Sequence, residues 1–140
     1  MKWLSILSLL TLAYSSKIYI PADYSTIQEG IDASSNGDSV LVSSGIYYEN
    51  INFHGKDIAV IGEDRETTII DGGENGEVVK MDDMEIFYTP ELSGFIIRNG
   101  LGGDGAGVKY NGSTTLNDLI IEFNSSLAHG GGISVRGGGS

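Results

Sequence analysis

The stretch Leu92-Ser-Gly-Phe-Ile-Ile-Arg-Asn-Gly100 is answered 24 residues further on by Leu116-Asn-Asp-Leu-Ile-Ile-Glu-Phe-Asn124. Each copy is followed by a glycine-rich run and another apolar segment, Gly105-Ala-Gly-Val-Lys-Tyr110 after the first and Gly130-Gly-Gly-Ile-Ser-Val135 after the second. The strands repeat at an offset of 24 and the glycine runs at 25, a difference that a one-residue turn insertion explains. Self-similarity at this period predicts a solenoid, in which each unit covers its apolar face only by stacking on the next. The repeated positions are accounted for as strand and turn requirements, so function is to be sought on the outer surface.

Working outward, short apolar strands alternate with turns from Ser39 onward: Val40-Leu-Val42, Ile51-Asn-Phe53, Ile58-Ala-Val-Ile61, Thr68-Ile-Ile70, Val78-Val79, Phe95-Ile-Ile97, Val108-Lys-Tyr110, Leu119-Ile-Ile121 and Ile133-Ser-Val135. Placing Val40, Ile58, Val78, Phe95 and Leu119 at equivalent positions gives steps of 18, 20, 17 and 24 residues, too short for βαβ crossovers. Paired two-residue Asn-Gly hairpin connections are missing, which favours a chain coiling in one direction. Five coils separated by the strand spacing would form a rod roughly 24 Å long. Asn99, Gly100 and Asn124 follow the apolar strands, where asparagine and glycine tolerate a sharp turn and stacked asparagines can form ladders. Met81-Asp-Asp-Met-Glu-Ile-Phe-Tyr-Thr-Pro90 fits the repeat least well and reads as a longer outward loop.

Before the strands, Lys17-Ile-Tyr-Ile20 forms a short strand closed by Pro21. Tyr24 to Ser34 reads as an amphipathic helix, with Thr26 and Glu29 as a capping box, Ile27 and Ile31 on one face, and Asn36-Gly37 as the stop. A helix at this end suits a lid over exposed strand edges. The expected architecture is therefore all-β, a right-handed parallel β-helix with a short N-terminal capping α-helix.

The first residues, Met1-Lys-Trp-Leu-Ser-Ile-Leu-Ser-Leu-Leu-Thr-Leu-Ala13-Tyr-Ser15, combine a basic residue, a short apolar run and small residues. Residues 1–16 read as a secretory signal peptide, and 17–140 as the β-helix domain. The leader removes Lys2 and no acid, so the formal charge passes from −11 to −12. A chain this acidic is a poor partner for nucleic acid. With no cysteine there is no disulfide framework, and stacking alone must hold an exported protein. The expected location is secreted or cell-surface, with no membrane insertion after cleavage. Gly137-Gly-Gly-Ser140 stops partway through a coil, so the domain is expected to be truncated at the C-terminus, with further coils of its own longer chain as partners.

Ala22-Asp-Tyr-Ser-Thr-Ile-Gln-Glu-Gly-Ile-Asp-Ala33, Gly37-Asp-Ser-Val-Leu-Val42, Gly45-Ile-Tyr-Tyr-Glu-Asn-Ile51 and Ile58-Ala-Val-Ile-Gly62 together resemble the N-terminal coils of the pectin-lyase-like superfamily, including pectin methylesterases. Gly94-Phe-Ile-Ile-Arg-Asn-Gly100 and Asn124-Ser-Ser-Leu-Ala-His-Gly-Gly-Gly-Ile133 resemble secreted right-handed parallel β-helix repeat proteins more closely. The resemblance covers nearly all of the chain after the leader and implies a groove-lining face that handles polysaccharide. Pectin methylesterases carry their catalytic aspartates, arginine and glutamines on later coils, in motifs of the "QDTL" kind. No such motif occurs here, so none of those roles transfers to a numbered residue.

Asp82, Asp83 and Glu85 form the densest acid cluster, a pattern that could serve glycoside hydrolysis or hold calcium. Polygalacturonases use an Asp-Asp pair, and Ala128-His129-Gly130 superficially resembles their histidine motif, but the flanking Asn-x-Asp and Arg-x-Lys are missing. The plainer reading is a solvated acidic loop. Asp71, Glu63 and Asp64 read as turn residues, and His54 and His129 as surface or turn residues too far apart for a metal site. Gly100-Leu-Gly102-Gly-Asp-Gly105 matches G-x-G-x-x-G, yet another strand follows it rather than a helix, which removes dinucleotide binding. A calcium nonapeptide repeat fails because Gly107 stands where a ligand aspartate is required. No cofactor is expected. Asn111-Gly-Ser113 and Asn124-Ser-Ser126 are glycosylation sequons. Tyr19, Tyr24, Tyr47, Tyr48, Tyr88 and Tyr110 would stack on sugars if they shared a face, and otherwise pack as amphipathic strand residues.

These readings lead to a secreted or cell-surface β-helix domain that binds or scaffolds polysaccharide and carries no catalytic motif. Two alternatives stand beside it. One is the N-terminal fragment of a polysaccharide-active enzyme of the pectin esterase or lyase type, and the other is a surface adhesin repeat with a protein partner.

Overall fold

In the computed structural model, which describes residues 14–136, the chain begins with β1 (Lys17–Ile20), α1 (Ile27–Ala33), β2 (Ser39–Val42), β3 (Gly45–Tyr48) and β4 (Ile51–Asn52). It continues through β5 (Ala59–Gly62), β6 (Thr68–Asp71), β7 (Val79–Met81), β8 (Glu91–Arg98) and β9 (Leu101–Asp104). It closes with β10 (Val108–Asn111), β11 (Thr115–Glu122), β12 (Ser125–His129) and β13 (Ile133–Arg136). The strands pair in parallel, each on its counterpart one coil away, and build a β-solenoid of about five turns with one short helix. The expected leader falls mainly on residues outside those described, as does the Gly137–Ser140 end.

The repeated stretches become β8 and β11, the two longest strands, in register from Thr115 on Glu91 to Glu122 on Arg98. Both are bent strands that serve two faces of the coil. Residues 91–93 of β8 pair with β5, while residues 96–98 pair with β6, a separate strand in the coil before. Earlier coils turn this corner with loops, whereas β8 turns it at Gly94 alone (φ 78°) and β11 at Asp118 (φ 50°). A Cβ at Gly94 would overlap the carbonyl oxygen of Gly62 on the coil below, so glycine is required there for space as well as for backbone angle.

Register corrects the expected alignment of coils. Ile18, Val40, Val60, Leu92 and Leu116 form one inward column. Ile51, Val79, Val108 and Ile133 form another, on the face made by β4, β7, β10 and β13. Val78 therefore belongs to neither the column nor the face of Val40, and the step from Val60 to Leu92 includes the outward loop around residues 82–90. Three further strands, β3, β9 and β12, lie in segments that the apolar pattern leaves unassigned: β9 and β12 are rich in glycine or small polar residues, and β3 turns Ile46 and Tyr48 outward. The glycine-containing Leu101–Asp104 is strand, paired with Ser125–His129.

Inside the coils these inward columns meet in one continuous apolar core. Phe53, Phe95, Ile70, Ile97, Val60 and Leu92 are all fully buried. Each such side chain contributes about 1.5–3 kcal/mol from removal of its surface from water. The helix closes the N-terminal end, with Ile27, Gly30 and Ile31 buried against β1, β2 and β4. It ends at Ala33, earlier than Asn36-Gly37 suggests, because the Ser34 hydroxyl donates to the Ile31 carbonyl (2.6 Å). The expected capping box is present: the Glu29 amide donates to Thr26 Oγ1 (3.2 Å) and the Thr26 amide to Glu29 Oε2 (3.1 Å).

Residues of the next coil hold both helix ends. The Glu49 carboxylate accepts from the Ile27 and Gln28 amides (2.9 and 3.0 Å), where unpaired N–H groups and the helix dipole favour an anion. Lys56 Nζ donates to the carbonyls of Ile31, Asp32 and Ser34 (2.7, 2.9 and 2.7 Å), satisfying the acceptors at the other end. Gln28 completes the clamp by bonding both backbone groups of Asn52.

Candidate functional site

Parallel stacking turns residues that are distant in sequence into columns on the outer surface. On the face of β4, β7, β10 and β13, Asn52, Lys80, Lys109 and Ser134 occupy successive rungs of one outward column. Strand spacing sets these side chains about 4.8 Å apart along the axis. Beside this column is a shallow groove of about 170 Å³, walled by Asp82, Asp83, Lys109, Tyr110, Asn111 and Arg136.

Of the three acids that form the sequence cluster, the fold brings Asp82 and Asp83 to this groove; Glu85 is not among its walls. Asp83 sits at φ 62°, at the start of the outward loop, and the Glu85 carbonyl accepts from the Tyr88 amide within that loop (2.9 Å). Among the described residues, no three His, Asp or Glu side chains converge as ligands for a metal ion. Asp82, Asp83 and Glu85 thus form no ligand set of their own.

Cations of this face are each held by a neighbouring acid. Lys80 Nζ lies 3.7 Å from Asp82 Oδ2, Lys109 Nζ 3.4 Å from Glu77 Oε1, and Arg136 Nη2 2.7 Å from Asp104 Oδ2. The Arg136 guanidinium holds the Asp104 carboxyl below the usual carboxylate range; partial burial opposes this, and His129 adds to it. Asn111 Oδ1 is enclosed and is the one buried side-chain oxygen or nitrogen among the described residues with no hydrogen-bond partner.

The histidines stay apart, as their sequence separation implies. His54 lies in a turn (φ 51°), 4.0 Å from Asp32 near the helix. His129 Nδ1 lies 3.3 Å from Asp104 Oδ1, an acid–imidazole pair that sequence reasoning missed. The signal was present in the 25-residue offset, since Asp104 and His129 stand just before Gly105 and Gly130. Ser126 is close in the chain, yet its hydroxyl bonds the carbonyls of Gly103 and His129. Those bonds occupy its proton, so the trio lacks the hydroxyl-to-imidazole contact of an activated serine.

A different acid anchors the corner of the coils. Asp71, 5 % exposed, accepts from Arg98 Nε (2.9 Å), Asn99 Nδ2 (2.9 Å) and the Gly73 amide (3.1 Å). Burial pushes its carboxyl up, but the three donors outweigh this and hold it below the usual carboxylate range. Asn99 is spent on Asp71, and Asn124 binds the Gly100 amide and the Ile97 carbonyl (2.7 and 3.0 Å). The expected asparagine ladder is therefore replaced by asparagine-to-neighbour bonds, and the Asn124 sequon is engaged within the fold.

Tyrosines do not make a common platform. Tyr19 and Tyr48 are exposed on β1 and β3, Tyr47 and Tyr110 pack against the core, and the Tyr88 hydroxyl accepts from Asn36 Nδ2 (2.9 Å). A larger groove of about 350 Å³, with Tyr19, Leu41 and Ile61 in its walls, lies on another face. Its lone charged wall residue, Glu63, is engaged with the Ser44 amide (2.8 Å), so the polar chemistry belongs to the smaller groove. Compared with protein-family models, with curated proteins and with solved structures, the chain matches none of them.

Proposed function

We propose that this chain is a polysaccharide-binding or scaffolding domain of the pectin-lyase-like type, secreted or displayed at a cell surface, with no catalysis of its own. One observation carries the reading. A regular column of polar side chains, Asn52, Lys80, Lys109 and Ser134, runs along one face beside a groove of acids, cations and an amide. A rigid array of hydrogen-bonding groups repeated at strand spacing suits an extended polymer that presents a hydroxyl-bearing unit to each rung. Retention of the protein by immobilised polysaccharides in affinity electrophoresis tests this. Unretarded migration through every polysaccharide tried would sink the reading, and release of methanol or unsaturated sugar by the purified chain would overturn its non-catalytic part.

A further inference from the structure

Resting on the polysaccharide reading, we infer that the polymer taken by the β7–β10–β13 groove is a neutral, hydroxyl-rich glycan and not a polyuronate. The charges of the face carry this. Its three cations, Lys80, Lys109 and Arg136, already lie against Asp82, Glu77 and Asp104. A carboxylated polymer would have to displace these internal acids while approaching a chain of formal charge −11. The groups left to a ligand are acceptors. Asp83 forms no ion pair among the described residues, and Asp82 meets Lys80 through Oδ2, at 3.7 Å. Sugar hydroxyls donate to these carboxylates, whereas each carboxylate of a polyuronate would bring a further acceptor and a like charge beside them. A hydroxyl bonded to an ionised carboxylate is among the stronger hydrogen bonds, and many hydroxyls in register add to one another along the polymer.

The test compares affinity electrophoresis through an unbranched neutral glucan, an unbranched neutral galactan and polygalacturonate, for the wild-type chain and for the Asp82→Asn/Asp83→Asn variant. Asparagine keeps the shape and tolerates the positive φ of residue 83, so folding is retained and is checked by circular dichroism. Retention by a neutral polymer, little altered by salt and about tenfold weaker in the variant, is the expected result. Salt-sensitive retention by polygalacturonate, strengthened in the variant, would overturn the neutral-glycan inference while leaving polysaccharide binding intact. Retention by none of the three would remove both. Neutral retention unchanged in the variant would show that this groove is not where the polymer binds.

Discussion

Ile97 and Ile121 occupy the same place in two copies of one repeat, paired directly in register, yet Ile97 is fully buried while Ile121 is only partly covered. The same gradient runs from Val79 and Val108 to Ile133, and from Met81 through Tyr110 to Val135. At the opposite end, α1 lies over the first coils and Ile20, Ile27 and Ile31 are fully buried. The lesson is that residue type does not set the burial of a rung in a solenoid; the layer on either side does. The N-terminal end is closed by a helix that the next coil clamps, and the last described rung has its inward side chains half open.

The largest expected effect breaks the corner that the repeats share. Gly94→Ala should cost about 3 kcal/mol, because the added Cβ meets the Gly62 carbonyl and the residue keeps a left-handed backbone, whereas Asp118→Gly at the matching corner should be nearly neutral. Urea unfolding of the pair measures both. Next, Ile97→Ala should cost about 3 kcal/mol and Ile121→Ala about 1 kcal/mol, in proportion to what each buries. Equal losses would mean that the last rung is covered as well as the middle ones, which sedimentation would then trace to self-association.

Releasing the N-terminal clamp should have a smaller effect. Lys56→Met leaves the carbonyls of Ile31, Asp32 and Ser34 without their shared donor and should cost about 2 kcal/mol, with fraying of α1 visible as faster amide exchange over Ile27–Ala33. The smallest effect is a dependence on pH. Asp71 is held below its ordinary carboxylate value in the fold, so it adds stability above the unfolded value of about 4, and that stability is lost as pH falls through the lowered folded value. Melting temperatures between pH 7 and pH 3 should therefore fall less steeply for Asp71→Asn than for wild type; parallel curves would remove Asp71 from the acid response.

Much of the fold was legible in the sequence where the signal was local or strictly periodic. The Thr26/Glu29 capping box, the paired stretches at 92–100 and 116–124 and the outward loop before Pro90 all follow from short-range chemistry or a repeated offset. The alignment of Val78 failed because coils of unequal length erase any fixed step, and only backbone pairing decides which residue lies over which. The groove was half legible. Asp82 and Asp83 stood out as an acid pair, while Lys109, Asn111 and Arg136 gave no sign of a groove, being isolated polar residues on two strands, β10 and β13. The Asp104–His129 pair was recoverable from the 25-residue offset of the glycine runs, although the register shifts between Ser126 and His129 to bring the two residues level.

The sequence by itself pointed to a stack of short parallel strands with a helix at its beginning, since repeated apolar strands at an offset of 24 cover their faces by stacking coil on coil. Only the tertiary structure decided that Glu49 and Lys56 hold that helix, that a single glycine replaces a loop at one corner, and that two loop aspartates face two cations and an amide across a groove. Those contacts join residues more than twenty positions apart in chains of unequal coils, and their geometry exists only once the coils have stacked.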